Sequence, residues 1–276
     1  MLQGNSAGQG SGAYVSFLAN CLVKDNVGAI FGSSAFNCTL VENSGSPAAV
    51  EAGSGVICNC IIYSNRNANW SGSASTFISC CTTPSPGPGN ITNSPMFVNE
   101  AAGDYHLHFG SPCIDTGTDL SSFITNDIAG TPRPLDGRGA GVPAFDIGAY
   151  EFNLLATVGT NWLLDYGLNP NDPLVFASHP NGVPFTVLQA WIADANPTNV
   201  ASFLEAAAIS NVPPVTVYFQ SSSSRLYSLV WSTNPQGGWA PVAGQGYLAG
   251  TGGLMSLADP NTVAQQRFYR VSVSVP

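Results

Sequence analysis

Three nearly identical heptads dominate the first quarter of the chain: NCLVKDN (Asn20–Asn26), NCTLVEN (Asn37–Asn43) and NCIIYSN (Asn59–Asn65). From 20 to 37 the spacing is 17 residues and from 37 to 59 it is 22; a fainter copy, SCCTTPS, starts 20 residues later at Ser79. An earlier half-copy, LQGN, ends at Asn5. A repeat near 20 residues, rich in β-branched positions and without helical spacing, is the signature of a solenoid whose coils cannot bury their apolar face alone. Within each heptad the Cys and the aliphatic residue lie two apart (Cys21 and Val23, Cys38 and Leu40, Cys60 and Ile62), so on a strand they share one face. Stacked coils turn that face into an interior, where each such side chain contributes about 1–3 kcal/mol. The recurring Asn suits turns and can bond its neighbour one coil away. The preceding runs AYVSF, GAIFG and AAVEA are expected to add a second strand per coil. Residues 1–95 are therefore expected to form a right-handed parallel β-helix.

Composition narrows the function classes. Net charge is −9 and only seven residues are Lys or Arg, so the cationic footprint that nucleic acid or anionic lipid requires is missing. No apolar run approaches the ~18 residues of a membrane span. The opening stretch MLQGNSAGQGSG lacks the charged and apolar regions of a signal peptide, so a secretion signal is expected to have been removed or to lie upstream. Hydrophobic residues make up 44% of the chain, enough apolar surface to offset the entropy of ordering.

After the repeat come MFVNEAAGDYHLHFGSPCIDTGTD, AGTPRPLDG and FDIGAYEF. The matching positions, Pro95–Val98, Gly103–Leu107, Ser111–Gly117, Gly130–Gly137 and Asp146–Glu151, resemble the terminal segment of large bacterial secreted β-helix proteins. Further on, Trp162, Tyr166–Leu168, Trp191, Asn196–Thr198, Tyr227, Leu229 and Phe268–Val271 resemble the C-terminal module of similar bacterial surface proteins. The resemblance implies an extracellular or cell-surface protein, all-β, with a short helical junction and a β-sandwich-like module after the β-helix. The expected division is 1–95 coils, 96–152 terminal or capping segment, 153–205 helical junction and 206–276 sandwich. It also implies a calcium loop before the second Trp, but FASHPNGVPF stands there, with no acid between Asp172 and Asp194. Hard cations need several oxygen ligands, carboxylates usually among them.

Other chemical candidates are weak. GNSAG (4–8) has the spacing of a nucleophilic serine motif but neither the preceding strand nor the following helix that positions one. His106 and His108 share a strand face and, with Asp104 or Asp115, offer zinc an incomplete ligand set. The ladder cysteines are expected to remain free thiols, because parallel Cβ vectors oppose a disulfide. The acids between 104 and 151 are the main concentration of charge: Asp104, Asp115, Asp119, Asp127, Asp136, Asp146 and Glu151, balanced only by Arg133 and Arg138. Asp115, Asp119, Asp127, Asp136 and Asp146 are the candidate ligands for Ca2+. The plainer reading is that Asp115 and Asp146 cap turns and pair with Arg133. In the coils themselves Asp25, Glu42 and Glu51 are expected to share no single ladder position.

Three functions fit. The favoured one is a surface, adhesion or stalk module that binds glycans, with Tyr63, Trp70, Trp231 and Trp239 as candidate sugar-stacking rings, although Trp231 and Trp239 are expected rather in the sandwich core. The second is a Ca2+-dependent hydrolase acting on a polysaccharide, lactone or other small-molecule ester. The third is part of a carbohydrate-active β-helix enzyme whose active coils lie upstream. The open first coil is an expected site of self-association.

Overall fold

The structure, a computed structural model, describes residues 1–7, 10–45, 47–51, 53–72, 77–210, 212–261 and 266–276. Gly8 of the GNSAG motif and Ala52 of AAVEA lie outside the described residues. The chain divides into two units, Met1–Thr157 and Val158–Pro276.

The first unit is a parallel β-solenoid of about four turns. The heptads build one sheet, in the order Leu2–Gln3, Leu22–Lys24, Thr39–Val41, Ile61–Ile62 and Cys81–Thr82. Register follows the heptad alignment: Leu2 pairs with Val23, Val23 with Leu40, Leu40 with Ile62, and Ile62 with Thr82. Val23, Leu40 and Ile62 join Cys38, Cys60 and Cys80 in one buried core. All seven cysteines are free. The ladder thiols bond carbonyls at the adjacent corner, as in Cys38 to Phe36 (3.3 Å) and Cys60 to Cys58 (3.2 Å).

The two asparagines of each heptad do different work. Asn20, Asn37 and Asn59 have φ of 50°, 47° and 52°, the left-handed corner that Asn tolerates. Asn26, Asn43 and Asn65 instead form a ladder: the Asn43 Oδ1 accepts from the Asn26 backbone N–H and side-chain amide at 3.0 and 3.1 Å, and Asn65 repeats this for Asn43 at 2.9 and 3.0 Å. A second left-handed corner falls one residue before the ladder, at Asp25, Glu42 and Ser64.

Each coil carries two further strands, where one was expected. The second sheet joins Ala13–Tyr14, Ile30–Phe31, Ala48–Glu51 and Ala68–Ser71; the third joins Phe17–Ala19, Ser34–Phe36, Ile57–Cys58 and Phe77–Ile78. AYVSF is split because Val15 turns left-handed at φ 45°, and Gly32 and Gly53 do the same at the corresponding corners of the next coils. Glycine adopts that geometry freely, whereas a β-branched residue is strained in it.

The segment after the coils lies along the outer face of the heptad sheet. Tyr105, from the strand Asp104–Leu107, packs with Leu22 and Val41, which point away from the solenoid interior. A Cβ on Gly148 would meet Ile61 Cδ1 at 2.7 Å, so only glycine lets this backbone approach the sheet. The outward amides of the corner asparagines hold the segment: Asn20 donates to the Asn126 carbonyl (2.7 Å), Asn37 to that of Asp146 (2.9 Å) and Asn59 to that of Thr118 (2.7 Å). Both faces of the heptad strands are therefore buried, which explains their unbroken apolar character.

The second unit opens with helices, α1 (Leu154–Val158) bridging into it, then α2 (Thr160–Asp165) and, after two 3-10 turns, α3 (Val187–Ala193). Thr186 and Gln189 form a reciprocal capping box at the start of α3. Two antiparallel sheets follow. One joins Ala206–Ser210, Val215–Gln220 and Leu254–Asp259; in the other, Leu226–Ser232 pairs with Ala240–Pro241, Leu248–Ala249 and Phe268–Ser274. Val217, Phe219, Tyr227, Leu229, Val242 and Leu257 form their core. Among the described residues, no helix is long and apolar enough to cross a membrane.

Candidate functional site

Four of the five candidate calcium ligands are drawn into a turn system around Arg133, and backbone amides occupy them. Asp146 is buried; its Oδ1 accepts from the Asp115 N–H at 2.7 Å and its Oδ2 from the Phe152 N–H. Asp115, at φ 51°, accepts from the Gly137 and Arg138 amides at 3.1 and 2.8 Å. Asp127 is buried and accepts from Ala129, Thr131 and Glu151. Asp136 accepts from Ala140 and Gly141, close enough to Asp115 for its charge to be felt there. Asp119 is exposed, apart from the others, and caps the Ser121 amide at 2.8 Å. Glu151, buried beneath them, accepts from Leu135 and Asp146.

Arg133 is the counter-charge. Its side chain is fully buried, with Nε 3.3 Å from Glu151 Oε2 and Nη2 donating to the Gly148 carbonyl at 3.0 Å. Burial pushes Asp146 well above the usual carboxylate range, helped by the charge of Glu151. Burial also pushes Glu151 up to about 7, against the pull of Arg133. Asp115 is raised for the same first reason, opposed by its two amide donors. A hydrogen bond of this kind contributes about 0.5–1.5 kcal/mol net, and up to about 3 kcal/mol where the carboxylate stays ionised, so the network ties the turns of the 113–152 segment, the clasp, to one another. Asp115 and Asp146 thus fix turns through backbone amides as anticipated, but the ion pair of Arg133 is with Glu151 rather than with either of them.

His106 accompanies Asp104 at 2.6 Å and lies 4.1 Å from the Tyr150 ring, while His108 bonds the Phe109 carbonyl. Among the described residues, no group of three or more His, Cys, Asp or Glu side chains is arranged to hold a metal ion. On the coils, Asp25 and Glu42 do share a ladder position, one residue before the Asn ladder, with Lys24 Nζ 3.6 and 3.7 Å from them. That alignment follows from the heptad register and corrects the expectation for these two acids.

The aromatic surface differs from the one anticipated at Tyr63 and Trp70, while Trp231 packs against the core of the second unit as expected. Trp70 is half-buried against Phe77 and donates to the Pro84 carbonyl at 2.9 Å. Trp231 and Trp239 lie under the guanidinium groups of Arg267 and Arg270, and Tyr63 is half-buried. Of the exposed rings, Tyr14 (56%), Phe17 (63%) and Phe123 (51%) lie by the corner of the first coils. Tyr14 stacks on Phe31 at 5.5 Å and an interplanar angle of 5°; Phe17 stacks on Phe36 at 5.1 Å, and Phe123 meets Phe36 edge-on at 5.5 Å. Between Tyr14 and Phe17 sits the strained corner Val15, itself 66% exposed. The 17-residue step from Tyr14 to Phe31 and the 19-residue step from Phe17 to Phe36 both fall near the coil period, a sign of ring-on-ring stacking that was available in the sequence.

No family model, curated protein or solved structure matches this chain.

Proposed function

We propose that this protein is a glycan-binding surface module that takes its ligand on the aromatic corner of the first coils. The observation that carries the reading is the contiguous exposed patch of Tyr14, Val15, Phe17 and Phe123, with Phe31 and Phe36 beneath it. Exposed apolar patches on a folded domain mark interaction sites, and a non-glycine residue held left-handed at the centre of one is strain of the kind that collects at functional positions. Aromatic rings offer flat faces to the C–H faces of sugars at low entropic cost. A chain with only 8% charged residues presents neutral hydroxyls and amides beside them, suited to a neutral polyhydroxylated ligand. The resemblance of the 95–151 segment to bacterial secreted β-helix proteins supports an extracellular setting. The strand edges at Leu2–Gln3, Ala13–Tyr14 and Phe17–Ala19 extend the proposal to self-association through the first coil, read by light scattering across a concentration series.

The test is a glycan array probed with the intact protein and with Tyr14→Ala/Phe17→Ala. Binding that disappears in the double variant while its circular dichroism is unchanged supports the reading. Equal binding by both proteins, or none by either, refutes it. The array hits, incubated with the protein and analysed for cleavage, also separate this reading from the calcium-dependent hydrolase, which requires turnover lost on chelation.

A further inference from the structure

The second unit contains a cavity of about 370 Å3, within the ~300–1,000 Å3 range of small-molecule sites. It opens where α3 ends. Asp194 terminates that helix in the left-handed conformation (φ 56°), which turns the chain sharply and leaves the Asp194 side chain 44% exposed. Its Oδ2 accepts hydrogen bonds from Ser222 Oγ (2.5 Å) and Ser224 Oγ (3.1 Å). These hydroxyls hold its carboxyl below the usual range. Among the described residues its Oδ1 has no hydrogen bond, only Arg225 Nη2 at 3.9 Å.

Arg225 has little to give this oxygen. Its guanidinium is spent on the last carbonyls of α3, donating to Ile192 and Trp191, and on Ser224. Two wall hydroxyls are likewise committed: Ser222 donates to Asp194, and Ser221 donates to the Gly253 carbonyl at 2.9 Å. Glu205, also in the lining, is exposed, and no hydrogen bond or ion pair engages its carboxylate among the described residues. The apolar share of the wall includes Phe203, 46% exposed. Two carboxylates thus face one distracted cation, and an aromatic surface lies alongside.

We propose that this cavity binds a small primary ammonium compound, its –NH3+ group taken by Asp194 and Glu205 and its carbon body laid against Phe203. A neutral polyol satisfies the acceptors without answering the charge, so the ammonium group is the deciding feature. The site is built wholly from the second unit and stands independently of the glycan reading for the solenoid.

Calorimetric titration of the intact protein with glucosamine, glucose and n-butylammonium, below the pKa of both amines, tests the assignment. Glucosamine and glucose share a ring and differ in the ammonium group. Both ammonium probes are expected to bind, glucosamine at least about ten-fold more tightly than glucose, with affinity falling as salt rises. Glu205→Gln is expected to weaken both ammonium probes by about three-fold or more, and Asp194→Asn by more. Glu205 has no hydrogen-bond or ion-pair partner to lose among the described residues, so its variant decides the matter even if Asp194→Asn does not fold. Glucose binding as tightly as glucosamine, no binding of either ammonium probe, or affinities unchanged in Glu205→Gln would each overturn the proposal.

Discussion

Replacing Asn43 by alanine removes the central rung of the asparagine ladder, and its cost can be worked from the bonds that end there. Asn43 is fully buried. Its Oδ1 accepts from the Asn26 backbone and side-chain amides, and its Nδ2 serves the Val23 carbonyl (2.9 Å), the Val41 carbonyl (2.8 Å) and Asn65 Oδ1 (3.0 Å). Truncation leaves the buried Asn26 N–H without its acceptor, at about 1–3 kcal/mol, while each remaining bond lost costs about 0.5–1.5 kcal/mol net. Shared acceptors reduce the sum, and the expected destabilisation is about 3–5 kcal/mol. Asn5→Ala is the control. Asn5 is exposed, its backbone N–H still reaches Asn26 Oδ1, and only the side-chain bond at 3.0 Å is lost, for about 0.5–1 kcal/mol. Urea unfolding, with hydrogen exchange on peptides spanning residues 20–65, measures both variants on the same coils. Costs within about 1 kcal/mol of each other would refute the ladder as a source of solenoid stability.

Three further outcomes follow from the clasp and the corner. Glu151 is raised from 4.5 to about 7, so the folded protein holds a proton that the unfolded chain releases, and stability falls as pH rises through that window. The loss is about 3 kcal/mol for Glu151 alone, and denaturant midpoints between those pH values should show a slope that shrinks in Glu151→Gln. Chelator should leave the melting temperature unchanged, while Asp115→Asn and Asp146→Asn each cost about 1–3 kcal/mol, because each acid accepts a backbone amide on both oxygens and Asn puts an NH2 donor in place of one of them; a chelator-dependent fall in the wild type that both variants abolish would favour the calcium site. Val15→Asn should raise stability by about 1 kcal/mol in denaturant titration, because Asn tolerates the left-handed corner better than a β-branched side chain; a loss of similar size would show that the Val15 side chain contributes more through contacts than it loses to strain.

The solenoid was legible because its register is written in the heptads. Once Asn26, Asn43 and Asn65 are aligned, the pairs Val23–Leu40 and Leu40–Ile62 follow, as does the shared face with Cys38 and Cys60. The third strand of each coil was not legible. It depends on a corner at Val15, and nothing in the side chain of valine announces a left-handed backbone, whereas Gly32 and Gly53 mark the same corner openly. Asp115 and Asp146 could be picked out as turn-fixing acids because each sits in a tight-turn context rich in Gly, but their joint network could not. The bond from the Asp115 N–H to Asp146 spans 31 residues and exists only once the clasp lies on the coils.

The clasp also explains why the heptad misleads a reader who assumes one buried face. A β-solenoid strand with one face to water should alternate apolar and polar residues. Here Leu22, Val41 and Ile61 are as buried as Val23, Leu40 and Ile62. Their outward positions are apolar because Tyr105 and the 145–150 turn cover them, and the corner asparagines beside them carry amides that the clasp carbonyls require. One heptad therefore encodes two interfaces, an inner one through Cys and the aliphatic position and an outer one through the first Asn and its apolar neighbours. The clasp is consequently held by an interface of its own, separable from the inner ladder. Loss of the Asn37 amide should weaken the hold of the 146–148 turn on the second coil, while the inward ladder at Asn43 keeps its bonds. In Asn37→Ala, hydrogen exchange should accelerate first in peptides covering 113–152 and only later in the coils. Simultaneous acceleration of both segments would mean that coils and clasp open as one cooperative unit, and the separation of the two interfaces would fail.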